Sequence, residues 1–202
     1  MEGLSRADAA MTQCERSACG SSGRMRTLFS GSGDLVLEPQ VAAHAAEMFS
    51  VLSDPAIYEF EHSPPSSEAW LRERFAKLES RTSGDGTERW LNWVVRLPSG
   101  DLAGYVQATV TGTGVAHIAY VLASRFWGKG IGRAAVQAML HELASQYGAR
   151  DFVATLKAAN YRSVALLAGL GFGETIPEHI DLGTPEADEI VMHKPARRSH
   201  AA

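Results

Sequence analysis

A glycine-rich turn that leads directly into a helical pattern limits the fold of this chain more than any other feature. In the segment GKGIG, residues 128–132, glycine occupies alternate positions. An apolar, strand-like run precedes it at 115–122, and apolar residues follow at helical intervals over 132–147. Amides at the start of a helix lack internal partners and attract anions, and glycine allows an anion to approach closely. The segment therefore predicts a strand, a pyrophosphate-binding turn and a helix.

Composition narrows the class of protein. The chain has 202 residues, of which 45% are hydrophobic and 21% charged, as expected for one globular domain with a sizeable core. A formal net charge of -4 argues against broad binding to nucleic acids, and no apolar run approaches membrane-spanning length. No secretory signal is apparent, so we expect a cytoplasmic protein that binds neither nucleic acid nor membrane. Cys14 and Cys19, with no histidine nearby, match neither a disulfide nor a zinc pattern, and we expect no metal.

The pattern of the chain divides it into one domain and two tails. Residues 1–26 are small, polar and aperiodic, which predicts a flexible N-terminal tail. The domain is expected over 27–195, and the polar residues 196–202 form a C-terminal tail.

Two helices and a meander are expected in the first part of this domain. A strand at 34–38 precedes helices at 41–52 and 68–78. Short turns then separate three runs rich in β-branched and aromatic residues, at 89–97, 102–110 and 115–122. Connections this short predict an antiparallel meander.

The second part of the domain predicts a change in strand direction. The helix over 132–147 stops at Gly148, and a strand follows at 151–156. A helical crossover of this kind makes the strands at 115–122 and 151–156 parallel neighbours. The remaining elements are a helix at 160–170, a strand that begins at Phe172 and a last strand at 189–193.

Two common nucleotide-binding patterns do not fit the glycine turn. A Walker loop requires a Lys-Ser/Thr pair at the start of the helix, whereas Lys129 lies between glycines and is followed by Gly130. A dinucleotide fingerprint requires Gly-x-Gly-x-x-Gly in an early βαβ unit, but this turn reads Gly-x-Gly-x-Gly and follows a meander.

A third pattern, Arg/Gln-x-x-Gly-x-Gly/Ala, is present as Arg125, Gly128 and Gly130. With it the chain resembles the GNAT superfamily of acetyl-CoA-dependent N-acetyltransferases. A second signature of that family, Asn-x-x-Ser/Ala followed by Leu-Gly-Phe, is matched by NYRSVALLAGLGF at 160–172. The phrases IAYVLASRFWGKGIG and EIVMHK are similar to the RimJ/RimL-type branch, which acetylates protein N-termini and other amines.

The resemblance implies a fold and a donor site. The fold is a single α/β domain (α+β, with a mixed sheet). Its central sheet is mostly antiparallel, has flanking helices and contains a splayed pair of parallel strands. The pantetheine arm of acetyl-CoA lies between the splayed strands and satisfies their unpaired main-chain groups. The alternative to a cofactor site is that the glycine segment is a tight turn, in which glycine is needed only for the backbone geometry. Residues expected to contact the cofactor are Val121, Leu122, Arg125, Gly128, Lys129, Gly130, Ile131, Gly132, Arg133 and Asn160.

Catalysis requires a neutral amine and a group that protonates or orients the departing thiolate. His117 is the candidate base, because it occupies the place where RimJ/RimL-like sequences often have a glutamate and because imidazole titrates near neutral pH. The alternative is a strand histidine with an ordinary hydrogen-bond partner. The family commonly protonates the thiolate with a tyrosine at the position that is Leu167 here. Ser163 is the candidate acid or thiol-orienting group instead, unless its hydroxyl bonds back to a helix carbonyl.

We expect direct transfer in a ternary complex, with the thioester carbonyl held by a main-chain N–H near Val121 or Leu122. The expected partner is an amine acceptor: a small molecule, a peptide or a protein N-terminus. Glu59 and Glu61 are candidates to bind a cationic amine, beside the aromatic residues Tyr58, Phe60, Trp90 and Trp93. Alternatively, the two glutamates are solvated surface residues and the aromatic residues belong to the core. A monomer or homodimer is expected, and a non-catalytic acyl-CoA-binding or sensory module remains the alternative function.

Overall fold

The computed structural model describes residues 25–31, 33–60, 63–180, 182 and 185–196. Within these residues a seven-stranded sheet follows the order of the chain from one edge to the other. Its strands are β1 (Leu28–Phe29), β2 (Val36–Pro39), β3 (Glu88–Arg96), β4 (Leu102–Thr111), β5 (Val115–Leu122), β6 (Asp151–Lys157) and β7 (Glu189–Pro195).

Helices cover both faces of the sheet. They are α1 (Ala45–Leu52), α2 (Glu68–Leu78), α3 (Ile131–Gln146) and α4 (Tyr161–Gly169), and short 3-10 turns lie at Ala42–His44, Pro55–Tyr58 and Ser124–Phe126. Side-chain caps fix two of the helix starts: Trp70 N donates to Ser67 Oγ (3.1 Å), and Ser163 N donates to Asn160 Oδ1 (3.2 Å). Such caps replace the helical partner that the first amides lack.

The splayed strand pair predicted from the sequence is present between β5 and β6. Strands pair antiparallel throughout the sheet except here, where the pairing is parallel. The pairing begins at Val115↔Asp151 and ends at His117↔Val153, although β5 continues to Leu122. Beyond this point β5 stays paired with β4, and β6 stays paired with β7. Each strand therefore follows its outer neighbour, and a gap opens between them.

The core has a layer on each face of the sheet. One layer contains Trp93, Met139, Leu143 and Leu167 and packs the sheet against α3 and α4. The other contains Met48, Val51, Leu71, Phe75 and Val94 and packs the sheet against α1 and α2. Burial of each large apolar side chain contributes about 1.5–3 kcal/mol, so these two layers hold the helices in place.

Alternation along β5 assigns its side chains to these two layers. Ala116, Ile118, Tyr120 and Leu122 belong to the layer on the α3 face. Val121 belongs to the layer under α1 and α2. Because successive side chains of a strand point to opposite faces, His117 and Ala119 lie on the same face as Val121.

The predicted boundary of the N-terminal tail at residue 26 needs correction at its last two residues. Met25 is 6% exposed and lies in the core. The Arg26 guanidinium donates to the buried Glu142 carboxylate (2.8 Å), and Arg26 O accepts from Trp93 Nε1 (3.1 Å). These contacts join residues far apart in sequence, so local composition did not indicate them. The rest of the predicted N-terminal tail, 1–24, and residues 197–202 lie outside the described residues.

Two local features differ from the sequence prediction. No strand begins at Phe172 in the described chain; instead Gly173 forms an isolated bridge with His193, and the Phe172 ring is buried. At the other edge the short strand β1 pairs with β2, which the sequence pattern did not predict.

Candidate active site

A cavity of about 710 Å³ opens where β5 and β6 part. It lies between the glycine turn, the start of α4 and the segment after α1, from which Ala56, Ile57 and Phe60 contribute. Eight residues predicted from the sequence line it: Val121, Leu122, Gly128, Gly130, Gly132, Arg133, Asn160 and Ser163. Four others, His117, Arg125, Lys129 and Ile131, are outside the described lining.

The backbone of the glycine turn is exposed to this cavity. Gly128 and Gly130 have φ values of 70° and 78°, and a Cβ on either would meet nothing within 4 Å. Only glycine adopts this conformation without strain, and the bare backbone leaves space for a ligand. Gly132 has a different role, since a Cβ there would lie 3.0 Å from the Leu122 and Leu166 side chains. It allows the start of α3 to pack closely.

Unsatisfied amides lie at the start of α3, beside this cavity. In the described residues, no hydrogen bond leaves the main-chain N–H groups of residues 128–133, and the first helical bond runs from Ala134 N to Gly130 O (3.0 Å). Arg133 is exposed and donates to Gly169 O (2.9 Å). No Asp or Glu belongs to the described lining of the cavity. Free amides at the positive end of a helix, next to an arginine, suit a diphosphate.

Arg125 and Lys129 stand beside the cavity rather than in its lining. Both are exposed, and both lie over the Phe126 ring, at 4.6 Å for the Arg125 guanidinium and 5.8 Å for Lys129 Nζ. They add positive charge at the rim.

Two side chains that the sequence analysis did not single out fix the turn in place. Trp127 Nε1 donates to Leu122 O (2.8 Å), which ties the turn to the end of β5. Asp54 accepts from Ser124 N (2.7 Å) and from Ala56 N (3.0 Å). The hydrogen bond from Ser124 is the main reason that the pKa of Asp54 lies below its usual range. The Asp-Pro pair is a known start signal for a helical turn, so this cap was open to sequence reasoning.

The main chain of β5 presents alternate residues to the gap. The Val121 carbonyl lies against Gly104 in β4, where a Cβ would come within 1.9 Å of it, and Ala123 N donates to Ala103 O (2.9 Å). Successive peptide groups point to opposite edges of a strand. The peptide groups of Tyr120 and Leu122 therefore face β6, where pairing has ended.

His117 occupies the last paired position before the gap. Burial lowers the pKa of its imidazole, and the nearby Glu88 carboxylate partly offsets this effect. No hydrogen bond between its ring and another described residue is present. His117 Cα lies about 13 Å along the strand from Val121. On this face only the exposed Ala119 stands between them.

Ser163 lines the cavity at the start of α4, and its side chain lies within hydrogen-bonding reach of the Tyr120 hydroxyl. Leu167, at the position of the family's tyrosine, is 1% exposed and belongs to the core. Tyr120 reaches the same place from β5: it lines the cavity, and its hydroxyl donates to Ser163 O (3.3 Å). In the sequence, Tyr120 stands out only as part of the phrase IAYVLASRFWGKGIG.

Comparison with known protein families decides the class of this site. Residues 34–173 match the model of the acetyltransferase (GNAT) domain, which includes the glycine turn and the start of α4. The chain belongs to the GNAT acetyltransferase family. It is therefore an acyltransferase, and solved RimL and RimJ structures share its fold. No curated protein sequence gave a significant match.

Solved structures share the fold of this GNAT acetyltransferase. RimL, a ribosomal L7/L12 α-N-protein acetyltransferase solved with coenzyme A, has a TM-score of 0.69 at 16% identity, covering 83% of this chain and 97% of its own. The ribosomal-protein-S5-alanine acetyltransferase from Vibrio fischeri has a TM-score of 0.66 at 19% identity, with 82% and 94% covered. A spermidine N-acetyltransferase SpeG chimera from Vibrio cholerae and hSSAT has a TM-score of 0.65 at 20% identity, with 81% and 96% covered.

Of the two acidic residues predicted to bind an amine, one is described in the structure of this GNAT acetyltransferase. Glu59 forms an ion pair with Arg162 (3.0 Å), whose guanidinium also lies 4.6 Å from the Trp127 ring. Glu61 lies outside the described residues. Of the aromatic wall, Phe60 lines the cavity, whereas Trp93 is fully buried in the core.

The described residues contain no group of three or more His, Cys, Asp or Glu side chains arranged to hold a metal ion. None of their helices combines the length and apolar character needed to cross a membrane.

Proposed function

We propose that this protein transfers the acetyl group of acetyl-CoA to a primary amine by direct attack in a ternary complex. The observation that supports it most is a coincidence of two features in one cavity. The parallel strands part after His117, and the same cavity is lined by residues whose main-chain N–H groups make no hydrogen bond in the described structure: Gly128, Gly130, Gly132 and Arg133. A ligand with a diphosphate at one end and an amide-rich arm matches both features.

In this proposal the donor is held mostly by main chain. The diphosphate binds the amides of residues 128–133, with Arg133 adding a charged contact. The amides of the pantetheine arm bind the peptide groups of β5 that face the gap, at Tyr120 and Leu122. Trp127 already occupies the Leu122 carbonyl, so the Leu122 N–H is the group left to polarise the thioester carbonyl.

The acceptor amine must lose a proton before it attacks. An alkylammonium has a pKa of about 10.4 and an α-ammonium of about 8, so a base is required near neutral pH. His117 is neutral there, because burial lowers its pKa. Since about 13 Å of strand separates it from Val121, it takes this proton through a chain of water molecules over the exposed Ala119. The nitrogen then forms its bond to the carbonyl carbon, and the C–S bond breaks. The Ser163 hydroxyl orients the sulfur.

The acceptor approaches on the face of the sheet that bears His117. Cross-strand register places Thr109 beside His117, and Gln107 beside the exposed Ala119. These groups offer neutral hydrogen-bonding partners rather than charge. A protein N-terminus, a peptide or a small amine all present a primary amine with polar neighbours, and the acceptor is one of these.

Calorimetry followed by an acceptor panel tests the proposal. Acetyl-CoA and CoA are titrated into the protein first, and binding of both is expected. Acetyl-CoA is then incubated with peptides that carry free N-termini, with polyamines and with aminoglycosides, and release of free thiol is measured. Peptides with blocked N-termini and no lysine are the matched controls and should release none.

Each outcome has a distinct meaning. Amine-dependent thiol release with the unblocked acceptors supports the proposed transfer. Binding of acetyl-CoA without release by any acceptor favours a non-catalytic acyl-CoA-binding module. Absence of binding contradicts the donor site itself.

A further inference from the structure

Tyr120 spans the gap between the two separated strands. Its backbone belongs to β5, and its side chain points to the α3 face of the sheet. The hydroxyl meets the carbonyl of Ser163, which lies at the start of α4, directly after β6. The phenol therefore connects the two sides of the cavity at the point where the strands have stopped pairing.

The hydrogen bond of this hydroxyl to the main chain is long. The distance from Tyr120 Oη to Ser163 O is 3.3 Å, longer than the usual 2.7–2.8 Å of an O–H···O bond. The Ser163 side chain lies within hydrogen-bonding reach of the same phenol. A rotation about one C–O bond is enough to direct the phenol proton into the cavity instead. The pair thus offers two O–H groups to whatever atom lies between β5 and α4.

Burial determines what such a phenol can do. It raises the pKa of Tyr120 to about 12. The phenol therefore stays protonated throughout the neutral range and cannot serve as a base. It is also a weaker acid than a free thiol, with a pKa of about 8.5, so it keeps its proton beside a thiolate. A hydrogen bond donated without proton transfer is the chemistry left to it.

We propose that Tyr120 is a catalytic residue that donates a hydrogen bond to the sulfur of coenzyme A as the thiolate leaves. This inference rests on the proposed acetyl transfer and adds a residue to it. Leu167 is buried in the core and cannot supply a polar group at this place. Tyr120 reaches the same place from β5, on the opposite side of the gap.

The step balances without another reactant. The amine nitrogen forms the C–N bond, the C–S bond breaks, and the electron pair moves to sulfur. Tyr120 and Ser163 stabilise this charge by hydrogen bonds and keep their own protons. The ammonium gives up two protons in all: one is released to solvent, and the other returns through water to convert the thiolate to the free thiol.

The pKa of the bound thiol tests this role without any acceptor. Coenzyme A is bound to wild-type protein and to Tyr120→Phe, and the ultraviolet absorbance of the thiolate is followed against pH. A hydrogen bond to a charged atom contributes enough that its loss should raise the pKa of the thiol by about 1–2 units. Arg133 and Arg162 also line the cavity, but they are present in both proteins and do not affect the comparison.

A neighbouring tyrosine provides the matched control. Tyr161 is 62% exposed, is the first residue of α4 and lies outside the described lining of the cavity. Tyr161→Phe should leave the pKa of the thiol and the turnover unchanged. Tyr120→Phe should lower kcat by roughly 10- to 100-fold, with the same Kd for coenzyme A.

The results separate this proposal from the proposed function. An equal pKa of the bound thiol in wild type and Tyr120→Phe would overturn the role of Tyr120, while transfer by the wild type would still stand. Should coenzyme A bind to neither protein, the donor site is wrong and this role falls with it. A weaker Kd in Tyr120→Phe without a change in the pKa of the thiol would assign the ring a packing role only.

Discussion

The two sides of the gap between β5 and β6 are built in different ways. The donor side is made of main chain: two glycines with positive φ, the first amides of α3 and the capped start of α4. The acceptor side is made of side chains from distant segments, including Phe60 from the loop after α1 and Gln107 from β4. A backbone site needs particular residues in one short stretch. A side-chain site depends on how the whole chain folds, and it can change without altering the donor site.

Blocking the donor side should have the largest effect. Gly130→Glu places a carboxylate where the free amides face the cavity and repels a diphosphate. We expect binding of acetyl-CoA to fall by more than about 100-fold, as loss of several charge-assisted hydrogen bonds implies. Calorimetry measures this directly.

The matched control is Gly148→Glu at the other end of α3. Gly148 also has positive φ, at 67°, and open space around it. Both variants therefore bear the same backbone strain of about 1–2 kcal/mol. Only Gly130→Glu should lose acetyl-CoA. If both variants bind it normally, the diphosphate does not lie on this turn.

Substitution of His117 tests whether a base on the acceptor side is needed for transfer from the donor side. His117→Ala should lower kcat by roughly 10²–10⁴-fold and leave the Kd for coenzyme A unchanged, because a base acts only on the amine. In wild type, kcat/KM should fall as pH drops through the pKa of His117, which burial places below its usual value. Above this pKa the imidazole is neutral and activity reaches its plateau.

This acid limb of the pH profile should disappear in His117→Ala. The exposed His141 on α3 is the control, and His141→Ala should keep both the limb and the rate. An unchanged profile in His117→Ala would leave a water relay as the base.

Asp54 joins the two sides through its bonds to Ala56 and Ser124. Asp54→Ala should raise KM for both substrates several-fold and lower the free energy of unfolding by about 1 kcal/mol, the usual effect of a lost cap. Hydrogen bonds lower the pKa of Asp54 in the folded state, so its contribution to stability is present above the unfolded pKa and is lost as pH falls.

Thermal unfolding and initial rates measure these effects. Asp85 caps an exposed turn remote from the cavity, and Asp85→Ala is the control, with KM unchanged for both substrates. Equal KM values in wild type and Asp54→Ala would mean that the two sides are positioned independently.

The same contrast explains what the sequence was able to predict. Helix α2 and strand β5 have the predicted bounds, because their starts, ends and apolar periods are local signals. The glycine turn and the splay are local as well. Met25 in the core and Tyr120 beside Ser163 depend on contacts between distant segments, and no local pattern encodes them.

The smallest effect is expected at Glu59, where the two sides meet at the surface. Because Glu59 already pairs with Arg162, and both side chains are well exposed, Glu59→Gln should change KM for the acceptor by no more than about twofold. A tenfold rise at low salt would instead mean that Glu59 binds the amine. The double variant Glu59→Gln/Arg162→Gln distinguishes a direct contact from repulsion by the released arginine. Recovery of the wild-type KM in the double variant assigns the effect to Arg162, which lines the cavity and would face the incoming cation.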